Sequence, residues 1–345
     1  MQVTFWGVRG SHPVPGPQTV RYGGETSCVE VRANSGKRII IDAGTGLRAL
    51  GEQIMQEAAK DPKFVPEFEI LLSHVHWDHI QGLPFFRPLW LPGARVTIHM
   101  LRAAEDSLHD VIAGAARKEF FPASLAAIPA QFTFSEVHPG QAFDIFDFTL
   151  LPISLNHPLG AVGYRVQGAG AALAYVCDTA PFCDILHKRH FLKGMEPLTD
   201  ADRAALGTME QNLIAALQGV DTVIYDTHFT QEEYTRFPHY GHSTPDQALQ
   251  TCIGTGVHTL VLYHHAPSHH DEMMDELAVK YAEMGLQHGI EVIASRQGMT
   301  LVVAGKAKHR LRKTAKNAPS LVPASFATPK RKANRTAPHA KRAPL

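Results

Sequence analysis

The chain has 345 residues, 44% of them hydrophobic, with 33 basic and 33 acidic side chains and a formal net charge of zero. That is ample apolar material for a buried core in one large domain or two small ones. No run of eighteen apolar residues occurs, which excludes a transmembrane helix, and Met1–Trp6 lacks the basic start and apolar stretch of a signal peptide, so a cytoplasmic enzyme with no membrane partner is expected.

The neutral total conceals an asymmetry. Residues 306–345 hold twelve Lys or Arg and no Asp or Glu, leaving 21 basic against 33 acidic residues in 1–305, a charge of about −12 there. The expected organisation is one folded domain over 1–305 and a disordered basic tail over 306–345. Such a tail is either a contact for nucleic acid or another polyanion, or a solubilising appendage. Cys28, Cys177, Cys183 and Cys252 match no zinc-finger spacing and read as buried free thiols.

In chain order, residues 2–6 read as a first strand. Gly7–Pro17 is dense in Gly and Pro and demands a shaped loop. It could present backbone N–H groups to an anion, with Arg9 as the phosphate partner or as the cation of a structural ion pair. Strands follow at Cys28–Arg32 and Arg38–Ile41, then a helix at Leu47–Ala59. Asp42, between them, is suited to accept N–H bonds from a neighbouring loop and orient its ligands.

Glu69–Leu72 reads as a short buried strand. It runs into Ser73-His74-Val75-His76-Trp77-Asp78-His79, four potential metal ligands within six residues. His74 and His76, two apart on an extended chain, can face one metal. A turn at Asp78 and His79 could aim both at a second. Imidazole and carboxylate together suit zinc, iron and manganese.

Beyond this cluster a strand is expected at Val96–Met100 and a helix at Ala103–Ala116. The loop Glu119–Pro122 follows, where Phe120 lines either a pocket or plain core. Segments 130–137, 141–146 and 148–154 suggest an antiparallel meander ending at His157, and 161–166 with 171–176 a hairpin ending at Asp178. A helical insertion spans 182–214. A strand at 220–225 closes on Asp226-Thr227-His228-Phe229. Gly241-His242-Ser243-Thr244 leads into a capped helix to about Ile253. Thr259–Tyr263 ends at His264-His265, with His264 the residue facing a site on strand alternation and His265 the alternative. A helix over 271–288 and strands at 291–295 and 299–304 complete the chain. Strand, polar ligand, helix thus recurs, the layout of two packed sheets flanked by helices.

The His-x-His-x-Asp-His motif, with His157, Asp178 and a late His in that order, resembles the phosphodiesterase branch of the metallo-β-lactamase superfamily, over nearly all of residues 1–304. The resemblance implies a four-layer αββα sandwich of two mixed sheets and two divalent metal ions, zinc first, with manganese or iron possible. It implies His74, His76 and His157 on one metal, Asp78, His79 and His264 on the other, and Asp178 bridging. Gly241-His242-Ser243-Thr244 looks like an element of ribonuclease Z and its relatives whose His protonates the leaving oxygen. Asp226 stands where they carry Glu and would hold His242. The reaction implied is attack by a metal-bridging hydroxide, steered by Asp78, with His242 as general acid.

In ribonuclease Z a long arm for tRNA lies between the counterparts of His157 and Asp178. Only twenty residues intervene here, enough for a hairpin. Phe5–Ser11 with Arg21–Gly24 resembles instead a bacterial group described as cyclic-nucleotide phosphodiesterase-like. The expected substrate is therefore a small phosphodiester, first a 3′,5′-cyclic nucleotide, contacted by Arg9 and Phe120. The alternatives are a tRNA 3′-processing endoribonuclease, a lactamase- or thioesterase-type hydrolase, and a nucleic-acid-binding protein acting through the tail. A homodimer is the oligomer compatible with this reading.

Overall fold

The computed structural model describes residues 1–102, 108–115, 127–183 and 198–305. Phe120, the basic segment 306–345 and most of the expected insertion before residue 198 lie outside the described residues. Among those described, no helix is long and apolar enough to cross a membrane.

The chain opens with β1 (Gln2–Gly7), β2 (Cys28–Arg32), β3 (Arg38–Ile41), α1 (Gly46–Lys60), β4 (Glu67–Leu71), the one-turn helix α2 (Trp77–Ile80) and β5 (Arg95–Met100). Next come α3 (Leu108–Ala115), β6 (Gln131–Glu136), β7 (Phe143–Ile145), β8 (Phe148–Leu155), β9 (Ala161–Gly168) and β10 (Ala171–Val176). The last part holds α4 (Asp200–Leu217), β11 (Thr222–Asp226), α5 (Gln231–Arg236), α6 (Pro245–Cys252), β12 (Thr259–Tyr263), α7 (Asp271–Gln287), β13 (Glu291–Ala294) and β14 (Thr300–Val302).

Two seven-stranded sheets result, in the orders β14-β1-β2-β3-β4-β5-β6 and β13-β12-β11-β10-β9-β8-β7. Both are mixed and share one pattern: from β14 inward, and from β7 inward, three antiparallel pairings are followed by three parallel ones. β3 and β10 therefore hold the same place in their respective sheets.

Alternation along the strands builds the layers. On β10, Leu173 and Tyr175 enter the core between the sheets, while Ala172, Ala174 and Val176 face the outer core with α4 and α7. β11 and β12 divide likewise, Ile224, Val261 and Tyr263 inward and Val223, Leu260 and Leu262 outward. Strands buried on both faces read as continuous apolar runs, as these do. α1 buries Leu47, Leu50 and Ile54 at helical spacing against the first sheet. Each large side chain so buried contributes about 1.5–3 kcal/mol.

The expected meander over 130–154 is corrected. β6 pairs in parallel with β5 in the first sheet, whereas β7 and β8 are antiparallel neighbours in the second. The apolar faces explain the split: Phe132 and Phe134 pack against the outer core of the first sheet, while Phe148 and Leu150 enter the space between sheets. Chain adjacency did not decide pairing. Of the four cysteines expected to be buried, Cys183 is exposed.

Candidate metal centre

The candidate ligands gather at one edge of the sandwich, each just past a strand end. His74 to His79 follow β4, His157 follows β8, Asp178 follows β10, and His264 follows β12. Asp42, Asp178 and His264 all have left-handed backbones, with φ of 60°, 58° and 61°. For a residue with a Cβ this costs on the order of 1–3 kcal/mol, and such strain collects at functional sites. His264 owes its inward direction to this bend as much as to strand alternation. His265 turns away, its Nε2 3.0 Å from the carbonyl of Ser295.

One cluster comprises His74, His76, His157 and Asp178, one ligand atom of each lying within 4.8 Å of the others. His76 Nδ1 stands 3.1 Å from His157 Nε2. Asp178 Oδ2 lies 3.6 Å from His74 Nε2 and 3.7 Å from His157 Nε2. Burial pushes the pKa of all three histidines down, that of His157 to about 3, so they sit neutral with lone pairs available. The other nitrogens of His74 and His157 are occupied. His157 Nδ1–H donates to the Gly241 carbonyl at 2.9 Å. Ser73 Oγ donates to Asp42 Oδ2, so it accepts from His74 Nδ1 at 3.1 Å.

The second cluster shares Asp178. Its Oδ1 lies 3.3 Å from His79 Nε2 and 3.2 Å from His264 Nε2, and Asp78 Oδ2 lies 3.3 Å from each of those nitrogens. Burial disfavours the charge on Asp78 and Asp178, but the surrounding imidazoles outweigh it and hold both carboxyls well below the usual range. Burial would likewise neutralise His79, yet Asp78, Asp178 and Asp42 raise its pKa well above the ordinary imidazole value.

The fit to two cations rests on atoms that lack partners. Among the described residues, His74 Nε2 and His79 Nε2 are buried with no hydrogen-bond partner. A buried polar atom left unmade is costly, and both point to the carboxylate the clusters share. Five imidazoles and two carboxylates form a donor set suited to zinc, manganese or iron.

Asp42 supports this arrangement from beneath. Its Oδ1 accepts from Ser73 N at 2.7 Å. Its Oδ2 accepts from Ser73 Oγ at 2.9 Å, His79 Nδ1 at 2.8 Å and Tyr175 Oη at 2.6 Å. Two glycines let backbone pass close. A Cβ on Gly10 would meet His264 at 2.5 Å, and one on Gly241 would meet His157 Nδ1 at 2.4 Å.

Beside the clusters, His242 Nδ1 donates to Asp226 Oδ2 at 3.0 Å. Burial opposes the charged form of His242, but Asp226, with Asp178 and Asp78 beyond, raises its pKa above the ordinary value. Asp226 is itself fixed by the N–H groups of Thr179 and His228. His228, to which sequence reasoning assigned no role, lies stacked on His242 with centroids 4.2 Å apart at 22°. Its Nδ1 donates to the His264 carbonyl at 2.9 Å. The signal was its place in Asp226-Thr227-His228-Phe229, where only the acid was weighed.

Arg9 is corrected. It is wholly buried, and its guanidinium donates to the carbonyls of Gly23, Ala266 and His269 at 2.6–3.1 Å. A side chain enclosed in this way does not reach a substrate. It ties the loop after β1 to the segment after His264. The neighbouring Ser11 N–H does reach the site, donating to Asp78 Oδ2 at 2.8 Å. Phe120, the other expected substrate contact, lies outside the described residues.

Comparison with known proteins finds similar sequences and similar folds. Residues 37–194 match a family model described as beta-lactamase superfamily domain. That span holds every candidate metal ligand except His264. Ribonuclease Z of Bacillus velezensis is 24% identical over 246 residues, 63% of this chain and 74% of that protein. The metallo-beta-lactamase fold protein YhfI of Bacillus subtilis aligns with a TM-score of 0.59 at 17% identity, covering 87% of this chain and 98% of that one. A diphosphatase from the PhnP family aligns with a TM-score of 0.55 at 21% identity, covering 88% and 98%.

Proposed function

We propose that the chain, whose residues 37–194 match a beta-lactamase superfamily domain and whose fold is that of the metallo-β-lactamase sandwich, is a metal-dependent phosphodiesterase acting on a small phosphodiester, with a 3′,5′-cyclic nucleotide the foremost candidate. The observation that carries this reading is the His242–Asp226 pair, 3.0 Å apart beside the two clusters. A departing alkoxide needs a proton, and a buried imidazole held charged by a carboxylate supplies one. A lactam or thioester hydrolase has less need of such a fixed acid.

In this reading His74, His76 and His157 would hold one divalent cation, Asp78, His79 and His264 the other, and Asp178 both, with zinc as the metal. The cations would supply Lewis acidity toward a phosphoryl oxygen and lower the pKa of a water. His242 keeps Nδ1–H on Asp226 and carries its transferable proton on Nε2. Asp78, held by Ser11 N–H, would orient the attacking water. Asp42 keeps His79 in the tautomer that leaves Nε2 for the metal.

The ribonuclease Z relative favours a second reading, tRNA 3′-end cleavage. Against it, β9 and β10 join through Ala169-Gly170, both left-handed, so the chain between His157 and Asp178 is a tight hairpin with no arm. The acidic balance of residues 1–305 also disfavours bulk RNA. The deciding experiment assays purified protein on cyclic AMP, cyclic GMP, 2′,3′-cyclic nucleotides and pre-tRNA, with metal analysis alongside. Turnover of pre-tRNA alone would overturn the small-substrate proposal. For the basic segment, deletion of 306–345 should leave turnover of bis(p-nitrophenyl) phosphate unchanged while abolishing any RNA binding.

A further inference from the structure

The rim of the candidate site is more apolar than phosphoryl transfer needs. Phe237 and Tyr240 stand 39% and 37% exposed. Their rings stack on each other, centroids 5.3 Å apart at 16°. Both adjoin the buried ring of Phe229, at 6.0 and 6.3 Å. Phe229 in turn lies against His242, centroids 5.7 Å apart at 74°. A continuous run of rings therefore leads from solvent to the residue read above as the proton donor.

The position of the pair is fixed. Tyr240 ends the 3-10 turn Pro238–Tyr240 and is followed by Gly241, in a left-handed conformation at φ 85°. The Gly241 carbonyl anchors His157. Phe237 caps α5, whose first turn is held by the Thr230–Glu233 capping box. Two exposed aromatic side chains stacked together beside a polar site offer an apolar surface that a bound molecule can cover. Flat rings presented together suit a flat partner, since a base stacks on aromatic side chains whatever its identity.

We propose that Phe237 and Tyr240 form a stacking platform for a heteroaromatic ring carried by the substrate, on the side of the scissile bond where His242 protonates the departing oxygen. The inference rests on the phosphodiesterase reading. It goes further in making these two residues, rather than Arg9, the determinants of substrate class, and it selects a nucleobase-bearing ester over an alkyl or sugar phosphate.

The test compares adenosine 5′-monophosphate with ribose 5-phosphate, which has the same phosphate and sugar but no base, as inhibitors of bis(p-nitrophenyl) phosphate hydrolysis by the metal-loaded protein. The nucleotide should bind at least about tenfold tighter, as expected for one base stacked on an aromatic platform. Phe237→Ala/Tyr240→Ala should collapse that ratio toward one while leaving ribose 5-phosphate affinity unchanged. Tyr240→Phe, which keeps the ring, should retain it. Equal binding of the two ligands by the unaltered protein, or a ratio that survives the double substitution, overturns the platform while leaving the phosphodiesterase reading intact. Absence of bis(p-nitrophenyl) phosphate turnover would count against that reading instead. The same ratio is then read by equilibrium dialysis, so the platform is judged either way.

Discussion

Asp226 Oδ2 sits 3.0 Å from His242 Nδ1, while its Oδ1 takes the N–H of His228 two residues on. One carboxylate thus fixes the orientation of His242 and the course of the chain toward the neighbouring imidazole. His242→Ala should lower diesterase turnover by about 100- to 10,000-fold, the usual contribution of a positioned acid. Metal content by elemental analysis should stay at two ions per chain. A fall to one ion would make His242 a ligand instead.

The same pair sets a pH dependence. His242 acts protonated, and its pKa is raised because Asp226 outweighs burial. The rate should therefore fall only as pH rises through a value above the ordinary imidazole figure of about 6.5. Asp226→Asn removes the opposing charge and should move this alkaline limb to lower pH. A limb that stays in place would show that another group titrates there.

Metal loading should be proton-linked at one cluster and not at the other. His74, His76 and His157 are held neutral, so a cation there displaces no proton from them. His79 is held charged by three carboxylates, so a cation at its Nε2 must expel one. Affinity at the second cluster should therefore rise with pH up to the elevated pKa of His79. Calorimetric titration in buffers of different ionisation enthalpy reads this as about one proton released in the His79 step alone. Equal release in both steps would contradict the assignment.

Asp42→Asn would break the contact with His79 and leave buried donors facing an amide. Such a loss costs about 3–5 kcal/mol when one partner of a buried charged pair is removed, measurable by urea unfolding of the metal-free protein. Losing the group that orients a ligand also weakens metal affinity by about 10- to 100-fold. A variant with unchanged stability and affinity would remove Asp42 from the support of the centre.

Arg9→Met should act on folding. Three carbonyls lose their donor, at about 1–3 kcal/mol for each left unsatisfied. The urea midpoint should drop, with KM unchanged in the fraction that folds. A raised KM at unaltered stability would return Arg9 to the substrate.

The parts of this centre written as local spacing were open to sequence reasoning. Four candidate ligands within six residues needed only the period of a strand and a knowledge of which side chains hold metals; the acid after β10 and the His after β12 joined them through the resemblance to a known family. Asp42 could be given its supporting role because a carboxylate beside a ligand loop has few other uses. Arg9 was misread because a cation in a Gly-rich loop looks the same whether it faces an anion or three carbonyls; only the return of the chain from Ala266 to His269 decides. His228 passed unnoticed because its partner, the His264 carbonyl, is 36 residues away. The transfer of β6 to the first sheet was hidden for a similar reason. Its period of two is satisfied in either layer, and the choice rests on which core its phenylalanines meet.

Met1 and Val303 exchange backbone hydrogen bonds at 3.0 and 3.1 Å, so the described chain leaves its fold where it entered. β1 then runs from that point toward Gly10 and His264, a span of about 20 Å at strand rise. The strand acts as a spacer with the candidate metal centre at one pole and both ends of the described residues 1–305 at the other. A tag, tether or cargo joined at either end of residues 1–305 would share a single face of the molecule and leave the pole that carries the candidate metal centre clear.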